Sequence, residues 1–550
     1  MKIKNVALGA FALALGLIGA PAHAQQQAPA TDQDIPEPPE SDEAEEGEGA
    51  PAAAEKEDAT AAGGSAKIDF SANATGATAG AEADGAAAAA EPQGTPTRAR
   101  VYGKESDWTV TPYGYARFDG IWDSTQSFED GYNPYLIARA GTYKGDHHRA
   151  TFTARDSRIG LFVGAPEFEG MRSYAQIELD FFGLVPTDAK KHDATVYGPV
   201  RLRHAYFKLE TSVVDLLAGQ YWDLFGWGSH YFPATVGYLG VPGQVYHRDP
   251  QLRLEKAIDV GQLEIKPAIA AVRPGQRDSG IPDAQAGVKF AFDGWTGAAM
   301  SGMGNSGISP LSLGVSGVYR RFEVPYFKQE PGSEALTKDG YGIHVGALLP
   351  VIPADDPKER ANALTLTGEF STGTGIADMY TNMDGGARLP VLPNPQAIIP
   401  ALPYAANVDP GLVTFDSNFH VQTIDWQGFV VGLQYYLPID SGRVWLAGIY
   451  SQVKSDNIKE LTPYPNHGGI FTKMEYIDAS VGVDITPSIL LGFSFQTLKQ
   501  TFGDVRPPTP IYGELAPPMG PLGSPSVAGT GGESVTARNN RFQLSSMFIF

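Results

Sequence analysis

Segment after segment of this chain alternates apolar and polar residues with a period of two. In Ser173–Phe182, Ala175, Ile177, Leu179 and Phe181 share one side, while Tyr174, Gln176, Glu178 and Asp180 share the other. Leu364, Leu366, Gly368 and Phe370 oppose Thr365, Thr367, Glu369 and Ser371. Ile477, Ala479, Val481, Val483 and Ile485 oppose Tyr476, Asp478, Ser480, Gly482 and Asp484, and Ile489, Leu491, Phe493 and Phe495 oppose Gly492, Ser494 and Gln496. Successive side chains of a strand point to opposite faces, so each run is a strand with one apolar and one polar face.

A soluble antiparallel sandwich gives the same alternation, with the apolar face as its core. Three features favour a closed membrane barrel instead. The runs last about 10 residues, the length of a tilted bilayer crossing, where globular strands average 5–6. Short turns alternate with long polar loops, as they do when one rim faces the periplasm and the other the outside. The last strand, Thr536–Phe550, places Phe542, Leu544, Ser546, Phe548 and the terminal Phe550 on one face. An amphipathic final strand ending in Phe looks like an outer-membrane assembly signal, read by the barrel-assembly machinery.

The N-terminus reads as an address. Lys2 and Lys4 precede an apolar run, Val6–Ala20, and Ala22-His23-Ala24 is an A-x-A cleavage site, so residues 1–24 are expected to be a signal peptide. Residues 25–105 are expected to be a disordered periplasmic segment rich in Ala, Gly, Pro and Glu. Within 25–100, sixteen acidic residues stand against four basic ones, with few large apolar residues to offset chain ordering. Residues 106–550 form the barrel. No Cys occurs, which excludes a disulfide scaffold and thiolate metal sites, and the net charge of −21 argues against a nucleic-acid partner.

The expected strands are 113–123, 151–163, 171–182, 201–210, 213–222, 250–258, 262–272, 284–293, 311–322, 341–350, 361–372, 424–437, 443–453, 473–485, 489–501 and 537–550. The fold class is therefore an all-β transmembrane antiparallel barrel of about sixteen strands, with both ends periplasmic. Two places strain this count. Trp295–Gly304 reads either as strand or as an enlarged turn. In 424–437 Trp426 and Val430 share one face and Phe429, Val431 and Leu433 the other, which fits a loop folded against the wall, a subunit contact or a shifted register. Long outer loops are expected at Asp223–Asp249, Gly373–Asn418 and Gly503–Val535. A sixteen-stranded wall leaves an aqueous interior, so passage of small hydrophilic solutes follows from the architecture.

Six stretches in order resemble the outer-membrane porin family typified by the dicarboxylate porin DcaP. They are Tyr113-Gly114-Tyr115-Ala116-Arg117-Phe118-Asp119, Ala154-Arg155-Asp156-Ser157-Arg158-Ile159-Gly160, Glu178-Leu179-Asp180-Phe181-Phe182-Gly183, Arg201-Leu202-Arg203-His204-Ala205-Tyr206, Ala218-Gly219-Gln220-Tyr221-Trp222 and Arg248-Asp249-Pro250-Gln251-Leu252-Arg253. The resemblance implies a homotrimer in the outer membrane of a Gram-negative cell, embedded in lipid and passing small, often anionic, solutes such as dicarboxylates. The acidic N-terminal segment lacks the coiled-coil pattern the family leads one to expect.

With the apolar face toward lipid, the inward charges are Arg117, Asp119, Arg158, Glu178, Asp180, His204, Lys208, Glu210, Arg253 and Glu255. They act either as a filter, since a pore discriminates through charged groups where it narrows, or as ion pairs holding neighbouring strands together. The loop Asp223–Asp249, carrying Asp223, His230, His247, Arg248 and Asp249, is expected to fold into the lumen, with a surface flap or subunit latch as the alternative. No cofactor, metal or catalytic residue is assigned. His147-His148 beside Asp146 make a poor metal pair if they lie on a strand, where adjacent rings point apart. Asp378 and Asp384 are a weak Ca²⁺ candidate, and no G-x-S-x-G elbow, P-loop or dinucleotide fingerprint occurs. A closed barrel acting as receptor or adhesin through its loops is the rival reading, and a barrel hydrolase a more distant one.

Overall fold

In a computed structural model the chain is described over residues 108–128, 136–183, 198–228, 230–232, 235–237, 241–300, 306–325, 335–381, 383, 408–409, 411–416, 420–462, 466–505 and 534–550. The expected signal peptide, the acidic segment, Asp384 and most of the last long loop lie outside these residues.

Sixteen antiparallel strands among the described residues close on themselves. They are β1 (Thr109–Asp123), β2 (Arg149–Thr153, continued as Arg158–Gly164), β3 (Arg172–Asp180), β4 (Arg201–Glu210), β5 (Asp215–Trp222), β6 (Arg248–Glu255, continued as Ile258–Val260), β7 (Leu263–Val272) and β8 (Asp283–Met300). They continue as β9 (Ser306–Pro325), β10 (Ala335–Ile352), β11 (Leu364–Thr374), β12 (Asp425–Tyr436), β13 (Val444–Lys454), β14 (Phe471–Thr486), β15 (Ile489–Phe502) and β16 (Thr536–Ile549). Each pairs with its sequence neighbour, and β1 pairs with both β2 and β16, which leaves no open edge. The terminal Phe550 completes the seam. Its N–H donates to the Gly114 carbonyl at 3.0 Å, and Gly114 N–H donates to the Phe550 carbonyl at 2.9 Å.

The alternation sorts as the sequence predicts. Phe118, Phe152, Ile177, Ile269, Ile343, Phe429, Ile477 and Phe548 are exposed on the outer face, whereas Arg117, Asp119, Glu178, Glu369, Asp478, Gln496 and Arg541 are buried inside. Apolar outside and polar inside is the arrangement a membrane barrel requires.

Several boundaries differ from the sequence reading. Trp295–Gly304 is mostly strand: β8 runs to Met300 through a register shift between Phe292 and Thr296, and β9 begins at Ser306. The run 151–163 is broken at 154–157, where a turn turns Asp156 toward Arg117. Arg248 and Asp249, expected in the loop, are instead the first two residues of β6, paired with Trp222 and Tyr221. The loop after β5 therefore ends at His247.

The weak alternation in 424–437 has a physical cause. Trp426 and Val430 point inward and are buried against loop residues within a large apolar cluster that includes Phe225, Val241, Val245, Met379, Tyr380 and Leu412. Phe429, Val431 and Leu433 face lipid. The register stands, and the wall is apolar there because folded loop covers it from inside.

Candidate functional site: the lumen and its inward loop

Between Asp223 and His247 the described residues run inside the barrel. A backbone segment inside a barrel leaves N–H and C=O groups that need partners, and the polar inner face supplies them. Phe225 N–H donates to Gln285 Oε1 at 2.7 Å and Gly226 N–H to Ser316 Oγ at 3.0 Å. Trp227 Nε1–H donates to the Val315 carbonyl, and His230 Nε2 lies 3.0 Å from Ser312 Oγ. Farther round, Thr235 Oγ1 donates to Asp478 at 2.8 Å, Val236 N–H to Ser480 Oγ, and Arg117 Nη2 to the Val236 carbonyl at 2.8 Å. On the return, Val245 N–H donates to Glu369 Oε1 at 2.7 Å and Tyr246 N–H to the Met379 carbonyl. The loop thus touches β8 and β9, then β14 and β1, then β11. Tyr231 needs room on this path: a Cβ at Gly314 or Gly346 would strike its ring.

The expected inward charges all face the interior, but they divide into two groups. Most are paired with one another, either along one strand or between strands of the same wall. Arg117 meets Asp119 at 2.7 Å and Asp156 at 3.0 Å. Lys208 lies 3.0 Å from Glu255 and 3.4 Å from Glu210, and Glu255 also meets Lys266 at 3.3 Å and Arg253 at 3.7 Å. These contacts neutralise one another.

The second group, beside the foot of the inward loop, is unbalanced. Arg203 reaches Glu178 at 2.6 Å and Asp180 at 3.0 Å; Arg201 reaches Asp180 at 2.5 Å; Arg158 is 3.5 Å from Glu178. His204 is buried with its ring against Trp222 and Tyr221. Arg248 stacks on Trp222 at 4.6 Å and on Tyr246 at 5.4 Å, and its buried Nη1 has no hydrogen-bond partner among the described residues. Four guanidiniums thus face two carboxylates. The phenol of Tyr246 senses the surplus. Burial alone would push it up, but Arg203, Arg248 and Arg158 outweigh burial and bring it down from 10.0 to about 8.

No protein-family model matches the chain, and no curated protein matches it. Among solved structures, the outer membrane channel DcaP of Acinetobacter baumannii superposes with a TM-score of 0.51 at 17% identity, over 80% of this chain and 97% of that one. The anion-selective porin of Comamonas acidovorans gives a TM-score of 0.44 at 11% identity, over 81% and 100% of the two chains. This chain is a porin-like, sixteen-stranded outer-membrane barrel.

Within that barrel, Arg203 is the residue sequence alternation misses. The β3–β4 register slips between Glu178 and Leu179, so that Glu178 faces His204 and Leu179 faces Leu202. The extra residue is a β-bulge, and it lets Arg203 and His204 both reach the lumen. Strict alternation assigns only one of them inward. Arg201, at the head of β4 opposite Asp180, adds a further guanidinium to the same carboxylate.

The minor candidates fare differently. Tyr143–Asp146 is a helical turn rather than strand; His147 Nδ1 contacts the Tyr143 carbonyl at 2.7 Å, while the His148 ring stacks on Trp122. The two imidazoles are separated by these partners, not by strand pleating. Asp378 is held by Arg320 at 2.6 Å.

Proposed function

We propose that this barrel is a passive, non-enzymatic channel for small hydrophilic solutes and that it favours small anions, dicarboxylates among them. The observation carrying this reading is the cluster Arg158, Arg201, Arg203 and Arg248 beside the foot of the inward loop, with no carboxylate within ion-pair distance of Arg248 among the described residues. A guanidinium presents a fork that matches a carboxylate bidentately, and a low-dielectric wall strengthens its field. The solute path runs along β2–β6, because apolar loop packing occupies the side of β9 and β12–β15.

The likeness to the DcaP channel supports the same architecture. By the same reading the barrel assembles as a homotrimer in the outer membrane, and its final strand with Phe542, Phe548 and Phe550 is the assembly signal. Planar-bilayer recording under a salt gradient tests the proposal. Stepwise currents in threes, with a reversal potential on the anion side, are expected. Absence of current from folded protein would overturn the open-channel reading and favour a closed receptor barrel.

A further inference from the structure

The neck of the inward loop holds three metal-ligating groups that the filter does not use. Asp223 is the first residue after β5, His247 the last before β6, and Asp249 the second residue of β6. We propose that Asp223, His247 and Asp249 form a divalent-cation site that fastens the two ends of the inward loop to each other. The proposal does not depend on which solute the channel passes.

Geometry is the first argument. His247 Nδ1 lies 3.2 Å from Asp223 Oδ2 and 3.0 Å from Asp249 Oδ2, and all three ligand atoms fall within 4.8 Å of one another. An ion with bonds of about 2.1 Å holds ligands at right angles about 3 Å apart, so the three atoms surround a point at bonding distance with little rearrangement. The set is already oriented. Asp223 Oδ1 accepts from Asp249 N–H at 3.1 Å, which leaves Oδ2 toward the imidazole, with Gln285 Nε2 3.4 Å behind it. Outer hydrogen bonds of this kind fix ligands in metal centres.

Charge is the second argument, independent of the first. Asp119, Asp123, Glu178, Asp180, Glu255 and Asp283 each face a guanidinium or ammonium group. Asp223 and Asp249 share only one imidazole; among the described residues no Arg or Lys stands within ion-pair distance of either. Two carboxylates drawn out of bulk water with a single weak cation leave negative charge uncompensated.

The donor set selects the ion. One imidazole and two carboxylates suit Zn²⁺ or Mn²⁺, whereas Ca²⁺ and Mg²⁺ take oxygen alone. Side-chain exposures of 27% for His247 and 15% for Asp249 leave an open edge on which water completes the coordination. Bound there, the ion replaces the weak imidazole bridge with bonds to both ends of the loop.

Zinc binding to the folded barrel tests this. Detergent-solubilised protein is stripped with chelator, dialysed and titrated with Zn²⁺ by calorimetry, with metal content read by elemental analysis. Heat-modifiable gel migration confirms that each variant is folded. One zinc per chain is expected, with affinity falling at least about tenfold in Asp223→Asn and in Asp249→Asn. A His147→Ala/His148→Ala double variant is expected to bind as the parent does. X-ray absorption on the zinc-loaded parent is expected to show one nitrogen among oxygen donors, and this readout needs no variant to fold. No saturable site, unchanged affinity in both folded Asp variants, or loss of binding in the His147/His148 variant would each overturn the proposal.

Discussion

Replacing Arg248 with Gln separates selectivity from stability better than any other change in the cluster. Removing Arg203 would take a buried cation from both Glu178 and Asp180, and breaking a buried pair costs about 3–5 kcal/mol. Arg248 has no such partner. Its loss forfeits stacking on Trp222 and Tyr246, worth about 0.5–2 kcal/mol. The effect on a passing anion is of comparable size. Two unit charges about 4 Å apart interact by roughly 1 kcal/mol in water and roughly 4 kcal/mol at an effective dielectric of 20. Taking the watery end of that range, about 1.4 kcal/mol, gives a tenfold change in local anion concentration. The anion-to-cation permeability ratio of Arg248→Gln is therefore expected to fall about tenfold, measured from reversal potentials near 0.1 M salt, where the screening length is about 10 Å. Arg321→Gln is the control: it removes the same charge from an exposed pair with Asp339 outside the lumen, and no shift is expected. An unchanged ratio in folded Arg248→Gln, or an equal shift in Arg321→Gln, refutes the argument.

Asp478 accepts hydroxyl hydrogen bonds from Thr235, Tyr476, Ser480 and Ser494; Asp478→Ala leaves these donors without their acceptor and is expected to cost about 1–3 kcal/mol in urea unfolding, with noisier single-channel currents as the loop tip comes loose. Gly346→Leu places a side chain where the Tyr231 ring lies; displacement of the loop is expected to change conductance at unchanged barrel fold, and an unaltered current trace would show that the loop does not narrow the path. Deleting Phe550 removes both hydrogen bonds to Gly114, and the fraction of heat-modifiable barrel recovered from outer membranes is expected to fall severalfold.

Strand period was legible in the sequence because each wall position faces either lipid or interior, and a one-residue slip would invert every side chain. What it left open follows from the same logic. An inward polar residue reads alike whether it meets water or a folded loop, so Gln285, Ser312, Ser316 and Ser480 gave no sign that they bind the backbone of 225–236. Trp426 and Val430 did give a sign, since apolar residues on the polar face need an apolar neighbour. The bulge that admits Arg203 beside His204 has no marker in alternation, which fails by one residue wherever a ladder slips. The sequence starts β6 two residues late, at Pro250, because proline reads as the first residue of a strand, whereas Arg248 and Asp249 ahead of it already pair with Trp222 and Tyr221.

An acidic chain and an anion-favouring path are compatible once distance is counted. The net charge of −21 belongs to the whole polymer, and twelve units of its excess come from residues 25–100, ahead of β1 in the sequence. Inside, most carboxylates are spent on neighbours: Asp119 on Arg117, Asp123 on Arg541, Glu255 on Lys208 and Lys266. Such pairs present little field a few ångströms away. The cluster at the loop foot is different, because Glu178 and Asp180 are shared among Arg158, Arg201 and Arg203 while Arg248 stands without either. The surplus that a solute meets is local and positive. On the function proposed above, apolar packing on the far side of the interior leaves the solute path on the side of those guanidiniums.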